Sequence, residues 1–270
     1  MTGGRKPRYA YYELFDAGNV DENGNTLAPD SPRSHYGKGN GFFHVDSSFN
    51  PRRASYSLLR AEKLPPKGTG GNTEFADSRT GFEILPAELR ERLLEKDYVG
   101  VHSLHHSRKR GSPEFFKDLV PEDFPMHKHR IVQTHESSGR KNIYLGAHCH
   151  HIEGLSSSDS WQLIWSLMGW CTRPENIVSV EWKNEGDLVI WDNTAVMHRA
   201  AGGSYEGKYA RDLRRTTVHD ASPTAWGENR EGVDERPGFN SFETPASQVL
   251  KKAMGSGHRE EGEVEEGKAV

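Results

Sequence analysis

Apolar residues in this chain fall in short bursts, cut apart by Gly, Asn, Asp, Ser and Pro. That rhythm reads as many short strands joined by turns. Residues 9–15 form an aromatic run that reads as a first strand, and Asn23-Gly24 and Lys38-Gly39 read as turns. A short strand is expected over residues 41–46, a loop over 47–53 and a strand over 54–62, with Tyr56, Leu58 and Leu59 at its centre. A turn follows at 68–72. Further strands are expected over 131–134, 142–146, 178–182, 187–191 and 214–218, the first two joined by a turn at 137–140. Two stretches change period. After Leu85-Pro86, the residues Leu89, Leu93 and Leu94 recur at helical spacing. Ser158 or Asp159 caps a second expected helix through Cys171, with Trp161, Ile164, Trp165 and Met168 on one face. Residues 102–111 read as a basic loop rich in histidine. The pattern therefore predicts a mainly β protein with helices, a β-sandwich or jelly roll.

Composition agrees: 28 glycines and 14 prolines in 270 residues suit a loop-rich β protein. From residue 221 onward Gly, Glu, Ser and Pro dominate. The expected organisation is a jelly-roll domain over 1–220 and a polar, acidic, disordered tail over 221–270. The net charge of −4 gives no basic field, so nucleic acid is not the expected partner. No apolar run is long enough for a membrane span, and the N-terminus shows no secretory pattern. Two cysteines, Cys149 and Cys171, make no disulfide framework, which fits a reducing, cytoplasmic setting.

The candidate chemistry begins with His44 and Asp46. Two residues apart on a strand end, their side chains share a face and can bind one metal ion from one side. His198, which closes the apolar segment beginning at Asp187, is the best third ligand. Two histidines and one carboxylate on one face leave positions open for a chelating cosubstrate and O2, as in Fe(II) oxygenases. Taken singly, each has a plainer reading: a His–Asp pair bonded to itself in a loop, and a satisfied buried histidine. Downstream, Arg211 and Arg215 are spaced to share one face of a strand, and arginine grips carboxylates bidentately. Their plainer reading is a solvated charged edge.

Several stretches together carry a family likeness. They are His44-Val45-Asp46-Ser47-Ser48-Phe49, Gly70-Gly71-Asn72-Thr73-Glu74-Phe75-Ala76-Asp77, and the segments over 146–155, 186–193, 197–199 and 211–217. In this order and spacing they resemble the taurine dioxygenase and 2,4-dichlorophenoxyacetate dioxygenase family of Fe(II)/2-oxoglutarate enzymes, most of all the 2,4-dichlorophenoxyacetate branch. The resemblance implies a double-stranded β-helix. It implies iron ligands His44, Asp46 and His198, 2-oxoglutarate held by Thr73 and Arg211, and a substrate anion facing Arg215. Ser47 would border the substrate, and Trp191 would pack beneath the metal. The implied reaction consumes O2 and 2-oxoglutarate, releases succinate and CO2, and hydroxylates a small anionic organic substrate, cleaving it where the hydroxyl lands beside a heteroatom.

Two features depart from the family. The family carries a longer segment ahead of its His-x-Asp motif, so the jelly roll is expected to be incomplete at its N-terminal edge. The acidic tail is the second. A non-catalytic, truncated family member or interaction module is therefore an alternative, and a homo-oligomer is open. A further alternative is a zinc protein, since His102, His105, His106, His148, Cys149, His150 and His151 form two dense clusters, though without finger-like spacing.

Overall fold

The strand expected over 54–62 is the spine of the largest sheet. In this computed structural model, which describes residue 8 and residues 14–232, it spans Ala54–Lys63. It is preceded by β1 (Phe15–Asp16) and a short helix, α1 (Pro32–Gly37), and is β2 in chain order. Ser57, Leu59 and Ala61 face inward, while Tyr56 and Arg60 face solvent, the alternation of a half-buried strand. After it come β3 (Thr73–Asp77), α2 (Ser78–Glu83), α3 (Ala87–Lys96), β4 (Val99–His102) and α4 (Leu104–Gly111). Four short strands follow, β5 (His127–Arg130), β6 (Val132–Thr134), β7 (Lys141–Ile143) and β8 (Cys149–Ile152). The long helix α5 (Ser157–Cys171) leads to β9 (Ile177–Val180), β10 (Leu188–Asp192), β11 (Val196–Ala200) and β12 (Asp212–His219).

The strands pair antiparallel throughout, in sheets ordered β1-β12-β2-β10, β11-β3-β9, β5-β4-β8 and β6-β7. The chain is thus mainly β with helices. One core gathers Phe43, Val45, Phe82, Leu93, Ile143, Leu145, Leu167 and Met197 beneath α2, α3 and α5. A second, smaller one joins Leu59, Ala61, Trp191 and Leu213 within the largest sheet. Each fully buried side chain of this kind contributes about 1.5–3 kcal/mol of transfer free energy. Cys149 and Cys171 lie in the larger core as free, buried thiols, and burial pushes both thiol pKa values up to about 12.

Several expectations change. Residues 41–46 are not a strand: a 3-10 turn over Lys38–Gly41 leads into a single antiparallel bridge at His44. Phe43, His44, Val45 and Asp46 are all buried, so the segment is enclosed on both sides. The basic stretch after His102 is a helix, because the Ser103 hydroxyl caps it by accepting from the His106 N–H. In α5 the cap is Ser156, and the buried stripe is Ser160, Leu163, Ile164, Leu167 and Cys171. Trp165 is 57% exposed, so the aromatic face chosen from the sequence turns partly to solvent. The aromatic run enters the described residues only at its end, as β1. Of the expected tail, residues 221–232 form turns docked on the body: the Arg53 backbone N–H donates to the Ala225 carbonyl at 2.9 Å, and its guanidinium donates to the Thr224 hydroxyl at 3.1 Å. The rest lies outside the described residues. Among those described, no helix is long and apolar enough to cross a membrane.

Candidate metal centre

His44 and His198 face each other across an isolated bridge, each backbone N–H donating to the other's carbonyl at 2.9 Å. Strand β11 brings His198 to this position, and the bridge sets the two rings 4.3 Å apart, centroid to centroid. No side chain fits at Gly146, where a Cβ would come within 2.8 Å of the His44 Cα, so the loop after β7 can lie against this backbone. Asp46 completes the group. Its Oδ1 lies 3.8 Å from His44 Nε2, and its Oδ2 lies 3.6 Å from His198 Nε2. The three ligand atoms lie within 4.8 Å of one another, and all three residues are buried.

The protonation states suit a metal. His44 Nδ1 donates to the Phe42 carbonyl at 2.8 Å, which leaves the Nε2 lone pair turned toward Asp46. Burial lowers the pKa values of His44 and His198, so both rings are neutral at pH 7. Burial would raise the pKa of Asp46, but the neighbouring Arg215 guanidinium and the Ser57 hydroxyl outweigh it and hold the carboxyl well below the usual range. Two neutral nitrogens and one carboxylate oxygen, buried together, are a donor set that fits a divalent transition metal with positions to spare.

Around Asp46 is a network that the sequence did not reveal. Ser57 donates to Asp46 Oδ2 at 2.7 Å, and Arg215 Nη1 donates to Oδ1 at 2.6 Å. The Asn193 side chain ties these together. Its carbonyl accepts from the Asp46 backbone N–H and from Trp191 Nε1, and its amide donates to the Ser55 carbonyl and the Ser57 hydroxyl. A buried serine on the inward face of β2, where alternation calls for an apolar residue, was the available signal. Trp191 packs its ring 4.5 Å from that of His198, the place expected for it. Ser47 sits directly after Asp46 with φ 57°, a left-handed backbone conformation.

Arg211, just ahead of β12, and Arg215, within it, keep different company. Arg215 rests on the Phe15 ring, 4.6 Å from its centroid, and pairs with Asp46. Arg211 is buried, donates through Nε to the Gly71 carbonyl at 3.0 Å, and among the described residues has no carboxylate within ion-pair distance, Glu206 acting on it only from farther off. Burial lowers its pKa. Gly71 (φ +88°) lies so close that a Cβ there would meet Arg211 Nε at 3.1 Å. Two residues on, Thr73 is buried, and its hydroxyl accepts from Trp182 Nε1 at 3.1 Å, which leaves the hydroxyl proton to donate elsewhere.

The other histidines are accounted for differently. Among the described residues, His44, Asp46 and His198 are the one group of three or more such side chains placed to share a metal. His102, His127 and His129 instead reach three successive residues of the loop behind Asp46: the Ser48 hydroxyl, the Phe49 carbonyl and the Asn50 carbonyl, at 3.1, 2.7 and 3.0 Å. His105 stacks on Phe124, His148 bonds Ser107, and His150 contacts His151 and Glu122.

The family model described as "Taurine catabolism dioxygenase TauD, TfdA family" matches residues 3–217. The α-ketoglutarate-dependent 2,4-dichlorophenoxyacetate dioxygenase of Burkholderia sp. (strain RASC) is 35% identical over 220 residues, covering 79% of this chain and 70% of that protein. An (S)-phenoxypropionate/α-ketoglutarate dioxygenase of Sphingobium herbicidovorans is 31% identical, over 70% of this chain and 66% of that one. Among solved structures, AAD-2 in complex with Mn(II) and N-oxalylglycine superposes with a TM-score of 0.71 at 37% identity, covering 78% of this chain and 75% of that one.

Proposed function

The chain belongs to the TauD, TfdA family and is a 2-oxoglutarate-dependent dioxygenase, and on that basis we propose that it hydroxylates a small organic anion at an Fe(II) held by His44, Asp46 and His198. The proposed frame is a double-stranded β-helix. The observation that carries the reading is the buried group of two neutral imidazoles and one carboxylate, within 4.8 Å. When bound, iron and 2-oxoglutarate supply the oxidant for a C–H bond, with succinate and CO2 as co-products.

The chain's own residues supply binding, orientation and exclusion of water. Arg211, buried and with no carboxylate in ion-pair distance among the described residues, takes the distal carboxylate of 2-oxoglutarate, and the free hydroxyl proton of Thr73 adds a second donor. Asp46 is held to one orientation by Ser57 and by the Asn193 amide that braces Ser57. Arg215 gives Nη1 to Asp46 and keeps its other donors for the substrate's anionic group, which sets a neighbouring C–H bond beside the metal. Ser47, at the turn after Asp46, borders that space. The named relatives act on phenoxyacetate and phenoxypropionate, and others on sulfate esters, so a carboxylate or sulfate ester is the proposed substrate anion.

An anaerobic titration with Fe(II) and 2-oxoglutarate tests this without a known substrate, because keto-acid chelation of Fe(II) gives a visible charge-transfer band. A saturable band that vanishes in His198→Ala and weakens in Arg211→Ala is expected. A folded protein that gives no band refutes the catalytic reading and favours a non-catalytic family member.

A further inference from the structure

Helix α4 carries a second cationic feature, away from Arg211 and Arg215. A shallow, wide-open cleft of about 430 Å³ lies over it, lined by His106, Lys109, Arg110 and Pro113, and two indoles flank it beside Arg110. Three aromatic rings surround the Arg110 guanidinium: Phe42 at 5.0 Å, Trp161 at 5.4 Å and Trp165 at 5.4 Å from its carbon. Trp161 and Trp165 lie nearly parallel, 26° apart with centroids at 6.1 Å, and Trp165 is largely exposed. Cations at the end of a helix complement its dipole, which explains why α4 ends in Arg108, Lys109 and Arg110. It does not explain the surroundings of Arg110.

Among the described residues Arg110 has no hydrogen-bond acceptor and no ion-pair partner. Burial lowers its pKa, and no carboxylate offsets that burial. Lys109 is occupied differently, donating to the Lys117 and Leu119 carbonyls. His106 lines the same cleft, is 8% exposed, and has its Nε2 buried without a hydrogen-bond partner. A guanidinium stacked on aromatic faces keeps its N–H edge free, and that edge matches a carboxylate. The indoles beside it offer a flat apolar wall. The cleft is also set apart from the metal candidates: Phe42 gives its ring to Arg110 and its carbonyl to His44 Nδ1, so the cleft lies behind that histidine.

We propose that this cleft is a second binding site, for a flat aromatic carboxylate, in which Arg110 takes the carboxylate and Trp161 and Trp165 pack against the ring. This assignment is independent of the reaction proposed above.

The test uses the full chain with Mn(II) and N-oxalylglycine added to fill the metal centre. Isotope-labelled benzoate is measured by equilibrium dialysis, with acetate as the comparison anion. The expected result is saturable benzoate binding that weakens about tenfold or more in Arg110→Gln, the cost of one charge-assisted contact, and that persists in Arg215→Gln. Acetate, which has no ring for the indoles, binds more weakly than benzoate. Should Arg110→Gln fail to fold by circular dichroism, Trp165→Ala at the exposed indole takes its place with the same expected direction. Benzoate binding that is absent, unchanged in the folded α4 or α5 variant, lost only in Arg215→Gln, or no tighter than acetate overturns the proposal.

Discussion

Replacing Asn193 with aspartate probes the brace behind Asp46 with almost no change of shape. Asn193 is 1% exposed, and its amide nitrogen donates to the Ser55 carbonyl and the Ser57 hydroxyl, both at 2.9 Å. An ionised aspartate there loses both donations, and turns a carboxylate oxygen toward a carbonyl. An unpaired buried charge of this kind costs about 3–5 kcal/mol. A protonated aspartate can still donate once, but holding the proton costs free energy as the pH climbs above the unfolded value of about 3.9. The folded pKa is raised, so the penalty grows with pH: about 1.5 kcal/mol at about pH 5 and about 4 kcal/mol near pH 7, where it meets the cost of the ionised form. Urea unfolding of the metal-free chain, variant against wild type at each pH, reads this difference directly. A difference that stays flat from about pH 5 to about pH 7, or remains below about 0.5 kcal/mol at the upper end, refutes the claim that the amide nitrogen is an obligatory donor.

Other consequences are as open to measurement. Arg211→Gln keeps the fold and raises the 2-oxoglutarate concentration for half-saturation of the visible band about tenfold or more, since one charge-assisted contact is lost. Gly71→Ala forces a Cβ to within 3.1 Å of Arg211 Nε at φ +88°, so it lowers stability by about 1–2 kcal/mol and weakens 2-oxoglutarate binding as well; unchanged binding would separate Gly71 from the arginine's placement. His129 has its pKa pushed down to about 4 by burial. The unfolded chain therefore takes up a proton that the folded chain refuses between about pH 6.5 and about pH 4, and stability falls by about 1.4 kcal/mol per unit as the pH drops through that window. In His129→Phe that share of the acid sensitivity disappears in urea titrations, while the lost bond to the Asn50 carbonyl lowers stability at neutral pH by about 1–3 kcal/mol.

The metal candidates were legible in the sequence because side-chain chemistry and order along the chain survive any error in local structure. His44, Asp46 and His198 come together although residues 41–46 are not the expected strand; the bridge between the two histidines does what a strand end was expected to do. Strands β2, β10 and β12 were readable from alternation, since one face of each is wet. Strands β4, β5 and β8 were not. Val99–His102 and His127–Arg130 are short and each bury a histidine, and Cys149–Ile152 is short and half histidine, where polar letters suggest loop. The histidine runs pointed to zinc for the same reason, whereas His102 bonds the Ser48 hydroxyl, His148 bonds Ser107 and His105 stacks on Phe124. Pairings of this kind depend on residues far apart in the chain, such as Asn50 and His129, or Ser57 and Asn193, and no local window contains both partners. For α5 the stripe choice held at Ile164 and Met168 but not at Trp165, because tryptophan looks like core yet Trp165 packs beside Arg110 at the surface.

The placement of the two cysteines bears on how the protein endures its own chemistry. A thiol reacts as thiolate, and with pKa values of about 12 and no exposure beyond 1%, Cys149 and Cys171 present almost none at neutral pH. Oxidants generated at the proposed iron centre in air thus find no ready thiol on the native surface. The same shielding makes the pair a natural clock. An alkylating reagent can reach Cys149 only when β8 parts from β4, and Cys171 only when the end of α5 lifts off α2, so the rate at which each becomes labelled reports how often that piece of the core opens.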